Sequence, residues 1–120
     1  MKVAVTSQGP NMPSEVDPRF GRAKYFIVVD TDTGEFTAHD NAQNLNAVQG
    51  AGIQAAQNVV NLGVDAVITG NVGPKAFTTL QAGAVKSYIG ATGSVSDAVE
   101  QLKAGQLECV SKPNVEGHWM

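Results

Sequence analysis

Between Val64 and Gly105 the chain runs through four segments of alternating period, and glycines mark the changes. "VDAVITG" is a β-branched run read as a strand, Val64 to Thr69. "GPKAFTTLQAG" follows with helical spacing, Pro74 near its first position and Gly83 after its end. "AVKSYIG" is a second strand. "SVSDAVEQLKAG" is a second helix, with Ser94 or Ser96 as its cap and Gly105 as its stop. Two strands joined by a helix imply a parallel pair with a right-handed crossover. Few folds accommodate that pattern in so short a chain.

The flanking segments extend the same sheet. In "GAGIQAAQNVVNLG" the residues Ile53, Ala56, Val59 and Val60 recur at helical spacing up to Gly63. "KVAVT", Lys2 to Thr6, is the first strand. "KYFIVVD" has apolar residues without alternation, the pattern of a strand covered on both faces. "TDTG" is a turn, and in "EFTAHD" Phe36 and Ala38 face one way while Glu35, Thr37 and His39 face the other. "NAQNLN", Asn41 to Asn46, reads as loop. The order is β, long loop, β-hairpin, then α-β-α-β-α. It predicts a mixed five-stranded sheet with helices on both faces, a three-layer α/β/α domain spanning residues 1–120. The tail from about residue 108 has little periodicity and is expected to be flexible.

Composition narrows the function. Eight Lys and Arg against eleven Asp and Glu give a net charge of −3, which argues against nucleic acid, because phosphate tracking needs a broad positive surface. A single cysteine, Cys109, excludes an intramolecular disulfide and a multi-thiolate metal site within one chain. No apolar stretch has the length of a signal peptide or a membrane span, so a cytoplasmic protein without membrane contact is expected.

The chemistry-bearing candidates are few. Asp17, Asp30, Asp32 and Asp40 flank the hairpin, where acidic residues ordinarily cap turns rather than gather a divalent cation. Cys109 and His118 could form a nucleophile pair, against the simpler reading of Cys109 as a small apolar filler. His118 and Met120, with Cys109 and Met1 or Met12, offer soft donors for copper, against the reading of a frayed terminus. A ribonuclease-type nuclease needs carboxylates clustered on adjacent strands, and Asp65 alone does not supply them. The chain is therefore expected to be non-catalytic.

Two further features point to one edge of the sheet. "GNVG", Gly70 to Gly73, and "GATG", Gly90 to Gly93, each follow a strand and open a helix, and Gly50 and Gly52 open the helix before them. Parallel strands bring such turns to one rim, the usual crevice of open α/β sheets. Glycines there let backbone N–H groups approach a ligand, and helix N-termini favour negative charge. Neither turn is followed by the Lys-Ser/Thr of a phosphate loop, so nucleotide binding is not expected.

The second feature is "DPRFGRAKYFIVVD", Asp17 to Asp30, which closes a sixteen-residue loop containing three prolines and two glycines. Long ordered loops are disproportionately functional. Arg19 and Arg22 flank Phe20 and Gly21, and Lys24 follows. Arginine is a planar donor fork suited to oxyanions and thioanions. Residue chemistry leaves two readings open: surface arginines paired with Glu15 or Asp17, or one wall of an anion pocket.

Taken together, "DPRFGRAKYFIVVD", "GAGIQAAQNVVNLGVDAVITGNVGPKAFTTLQAG" and "SVSDAVEQLKAGQL" resemble the family of dinitrogenase iron–molybdenum cofactor biosynthesis accessory proteins, over about Lys2 to Leu107. The pairing of Asp-x-Arg-Phe-Gly-Arg with Gly-Val-Asp-x-Val-Ile-x-Gly is the specific part. Within that family, a free-standing domain of this size is similar to the orange protein group of anaerobic bacteria, which hold a molybdenum–copper sulfide cluster without protein thiolates. The resemblance implies a ribonuclease H-like fold and a carrier of an anionic metal–sulfur cluster. It implies a pocket of Arg19, Phe20, Gly21, Arg22 and Lys24 facing Gln49, Gly50, Gly52, Gly70, Asn71, Gly73 and Gly93. Many members carry a His before the Gly-Ala-Gly that opens the first helix; here it is Gln49, so imidazole ligation at that position is absent. The less favoured cargo is an iron–molybdenum cofactor precursor. The competing class is a protein-interaction or regulatory module on the same fold. Implied partners are proteins of cluster transfer or of cell-division and regulatory complexes, with the chain itself monomeric.

Overall fold

A computed structural model describes residues 1–41 and 51–110. The chain forms β1 (Lys2–Ser7), a 3-10 turn (Phe20–Arg22), β2 (Tyr25–Asp30), β3 (Phe36–Asp40) and α1 (Ala51–Asn61). It continues with β4 (Ala66–Ile68), α2 (Pro74–Ala82), β5 (Lys86–Ile89), α3 (Val95–Lys103) and β6 (Glu108–Val110). The strands build one mixed sheet in the order β3-β2-β1-β4-β5-β6. The pairs β1–β4 and β4–β5 are parallel, and the other three pairs are antiparallel.

The sheet has six strands where the sequence predicts five. The sixth, β6, is three residues long with Glu108 and Cys109 exposed, so it carries no local strand signal. Only its register against β5, with Tyr88 opposite Cys109 and Ser87 opposite Val110, creates it. Tail residues 108–110 are therefore ordered structure. A second correction concerns β3. Phe36 and Ala38 do alternate with Thr37 and His39, but β3 is an edge strand and both Phe36 and Ala38 are exposed.

Alternation along the central strands splits the core in two. Ala4, Phe26 and Val67 point to one face, where they pack with Ala55, Ala56 and Val59 of α1 and Ala76, Phe77 and Leu80 of α2. Val3, Val5, Ile27, Val29, Ala66 and Ile68 point to the other, against Val95, Ala98 and Val99 of α3. Helices thus cover both faces. On the first face α1 and α2 pack closely at Gly83, where a Cβ would lie 2.6 Å from Val60. At the start of α3, Ser94 rather than Ser96 is the cap: its hydroxyl accepts from Asp97 N–H while the Asp97 carboxylate accepts from Ser94 N–H.

Candidate functional site

The parallel strands β1, β4 and β5 end at one rim, and antiparallel β2 begins there. The connections 8–24, 69–73 and 90–94 and the starts of all three helices therefore crowd the same edge of the sheet. The two glycine turns meet as expected: Gly90 N–H donates to Gly70 C=O at 3.2 Å, and Ala91 N–H to Thr69 C=O at 3.3 Å.

The arginine loop is anchored to this rim by paired backbone. Asp17 N–H donates to Thr6 C=O at 2.9 Å, and the Thr6 hydroxyl donates to Asp17 C=O at 2.7 Å. Thr6 lies at the end of β1 and its hydroxyl also meets that of Thr69 at 2.9 Å. One step on, Asn71 N–H donates to Pro18 C=O at 2.9 Å, and Phe20 N–H to Asn71 C=O at 3.4 Å. Phe20 then enters the core. It is 2% exposed, lies among Ala55, Ala56 and Val59, and its ring centroid is 5.8 Å from that of Phe26. The buried aromatic between the two arginines holds the turn down.

Arg19 is the outward one, with 72% of its side chain exposed and its Nε 3.9 Å from Asp17 Oδ1. Arg22 is half-buried, its N–H donating to Arg19 C=O, and Lys24 is exposed at the start of β2. Both readings of the cation cluster thus have a footing: Asp17 does pair with Arg19, yet the Arg19 side chain is largely exposed and its backbone pairs with Asn71 of the glycine turn. Lys75 adds a cation that sequence reasoning missed. It sits in the first turn of α2, where a positive charge opposes the helix dipole, and "GPK" signals only the helix start. Arg19, Arg22, Lys24 and Lys75 are half of the chain's eight lysines and arginines.

The two glycine turns differ in what they offer. At α3 the first-turn donors are spent within the protein: Val95 N–H on Ser14 C=O, Ser96 N–H on Met12 C=O, and Asp97 N–H on the Ser94 hydroxyl. Gly93 serves geometry there, with a φ of +84° and its carbonyl accepting from Val16 N–H. At α2, Gly73 is the cap and no side chain satisfies the first turn. Gly70 is set by close approach, since a Cβ would lie 2.7 Å from Pro18 Cα. Gly52 is buried in the first turn of α1. Among the described residues, the start of α2 is thus the helix N-terminus without a side-chain cap, beside the loop that carries the arginines. Gln49 and Gly50 lie outside the described residues.

Of the soft-donor set, the described members Met1, Met12 and Cys109 are not brought together. Cys109 is exposed on β6, three strands from β1, which begins at the opposite rim with Met1; Met12 packs against the α3-side core. His118 and Met120 lie outside the described residues. Cys109 faces Tyr88, whose phenol burial pushes above its ordinary range, with Cys109 adding to the effect. Among the described residues no group of three His, Cys, Asp or Glu side chains could hold a metal ion, and no helix is long and apolar enough to cross a membrane.

A rim that gathers arginines and an uncapped helix start, with no cluster of protein metal ligands among the described residues, suits an anion that brings its own ligands. Comparison with known proteins bears on which one. The family model described as dinitrogenase iron-molybdenum cofactor matches residues 1–105, and the chain belongs to that family. It is similar to the apo form of the orange protein from Desulfovibrio gigas, at 41% identity and a TM-score of 0.91 over 95% of this chain and 96% of that one. The solution structure of the Thermotoga protein TM1290 matches at 37% identity and a TM-score of 0.82, over 97% and 98% of the two chains. The uncharacterized protein MJ0580 of Methanocaldococcus jannaschii is 30% identical over 110 residues, 90% of each chain. The family and the likeness to the orange protein support a role in binding or carrying a cluster.

Proposed function

We propose that the chain is a non-catalytic carrier of an anionic molybdenum-containing metal–sulfur cluster, of the molybdenum–copper sulfide type, held without a covalent bond from the protein. It acts as a single domain, monomeric and cytoplasmic, with neither nucleic acid nor membrane as partner. One observation carries the reading: the Arg19–Arg22 turn is hydrogen-bonded through Pro18 and Phe20 to Asn71 of the Gly70–Gly73 turn. Cations and the uncapped start of α2 thereby share one rim.

A sulfide-rich polyanion would sit with Arg19, Arg22 and Lys24 on one side. Gly52, Gly70, Asn71 and Gly73 would approach it on the other, with the start of α2 contributing positive potential. Phe20 and Gly21, both buried, shape the turn from beneath. Gly93 belongs to the margin of this pocket, because its neighbouring donors are used internally. Sulfur ligands come from the cluster, which suits a chain with one cysteine placed on the far edge strand. The family's description favours a second cargo, an iron–molybdenum cofactor precursor.

Elemental analysis separates these. Protein made anaerobically in a molybdate-supplied host should carry molybdenum and copper and absorb in the visible. Iron together with molybdenum would replace the first cargo with the second. Protein without either metal would overturn both.

A further inference from the structure

A carboxylate at the foot of an anion pocket is out of place on charge grounds, and Asp17 is one. It is 5% exposed, so its desolvation has to be offset by what it holds. Its backbone is fastened to β1 through both Thr6 contacts, so its side chain projects from a fixed point. Its Oδ1 accepts Arg19 N–H at 2.9 Å across Pro18, an Asx turn that fixes where residue 19 leaves the sheet. The same Oδ1 lies 3.9 Å from Arg19 Nε, close enough to attract the guanidinium but too long for a hydrogen bond. The Arg19 side chain as a whole stays 72% exposed.

We infer that Asp17 is the positioning residue for Arg19: its acceptor oxygen sets the backbone of the cation wall, so that the exposed guanidinium leaves the sheet towards the anion. This rests on the cluster-carrier reading above. The acceptor and the charge separate by substitution. Asp17→Asn keeps the acceptor and removes the charge. Asp17→Ala removes both.

The test uses tetrathiomolybdate as probe, titrated calorimetrically against the full chain well below its unfolding temperature, together with amide exchange at Arg19. Asp17→Ala should bind about tenfold more weakly and exchange the Arg19 amide faster. Asp17→Asn should keep the amide protected and bind as tightly as wild type or more tightly, since a repulsive charge is gone. An Asp17→Asn protein that loses affinity would overturn the inference, as would Asp17→Ala with unchanged binding and exchange. A purely structural role would lower the melting temperature of Asp17→Ala while leaving the affinity of the folded protein unchanged, which also overturns it. If wild type does not bind tetrathiomolybdate, the carrier reading fails, and the Arg19 exchange rates alone still decide whether Asp17 positions that residue.

Discussion

Asn71 and Arg19 are paired as parallel strands are: the N–H of Asn71 donates to the carbonyl of Pro18 at 2.9 Å, fifty-three positions away in sequence, and Phe20 N–H donates to the carbonyl of Asn71 at 3.4 Å. Through this contact the arginine-bearing loop becomes an extension of the sheet rim. It joins the two halves of the family's motif pair, Asp17–Arg22 and Gly63–Gly70, into one surface.

Gly70 makes the approach feasible. A Cβ there would lie 2.7 Å from Pro18 Cα and 2.8 Å from Pro18 O, both backbone atoms that cannot swing aside. Gly70→Ala should cost roughly 1–3 kcal/mol by overpacking, lower the thermal midpoint by several degrees and weaken cluster binding. Unchanged stability would mean that the loop is not held as described.

Phe20 and Arg19 are adjacent in sequence and opposite in role. Phe20→Ala empties a buried position and should destabilise by roughly 3–5 kcal/mol. Arg19→Ala, at a side chain 72% exposed, should change stability by no more than about 0.5 kcal/mol. Denaturant unfolding of the two variants checks the contrast, and comparable losses would make Arg19 a structural residue.

The Ser87 hydroxyl is buried beneath the α1/α2 layer and is without a hydrogen-bond partner among the described residues. An unsatisfied hydroxyl in a core is a standing cost. Ser87→Ala is therefore expected to leave stability unchanged or raise it by about 1 kcal/mol. A clear loss would reveal a partner for the hydroxyl.

Asp30 begins the β2–β3 turn, and its Oδ1 accepts N–H groups from Asp32 at 2.9 Å and Thr33 at 3.3 Å. These bonds, the Asp32 one foremost, hold its carboxyl below the ordinary carboxylate range. The lowered value means the folded form favours the ionised group. Its contribution is complete above the unfolded value near pH 4 and disappears as pH falls through the lower folded value. Wild type should exceed Asp30→Asn in thermal midpoint at pH 7, and the gap should close below about pH 4. A gap independent of pH would contradict the hydrogen-bond account.

Much of this was legible in the chain. Period changes and glycines at Gly63, Gly83 and Gly105 located the helices, and β-branched runs located five strands. β6 escaped because three exposed-leaning residues become a strand only by pairing with β5. The exposure of Phe36 escaped because alternation assigns residues to faces, and only the strand order says whether a face is covered. At the site, residue chemistry pointed to the arginines and glycines. It could not tell that the α3 donors would be consumed by Met12 and Ser14, because that depends on how the long loop folds back. The "DPR" Asx-turn signature offered a local clue to Asp17 that charge counting passed over.

The central claim is that Arg19 and Arg22 form the anion wall. It is tested most directly by anaerobic titration of wild type and Arg19→Ala/Arg22→Ala with tetrathiomolybdate and copper(I), followed by gel filtration and metal analysis. Wild type should retain molybdenum and copper with a visible charge-transfer band that weakens as salt is raised. The double variant, folded to the same helix content, should elute colourless. Equal metal retention by the two proteins, with the same salt dependence, would contradict the account.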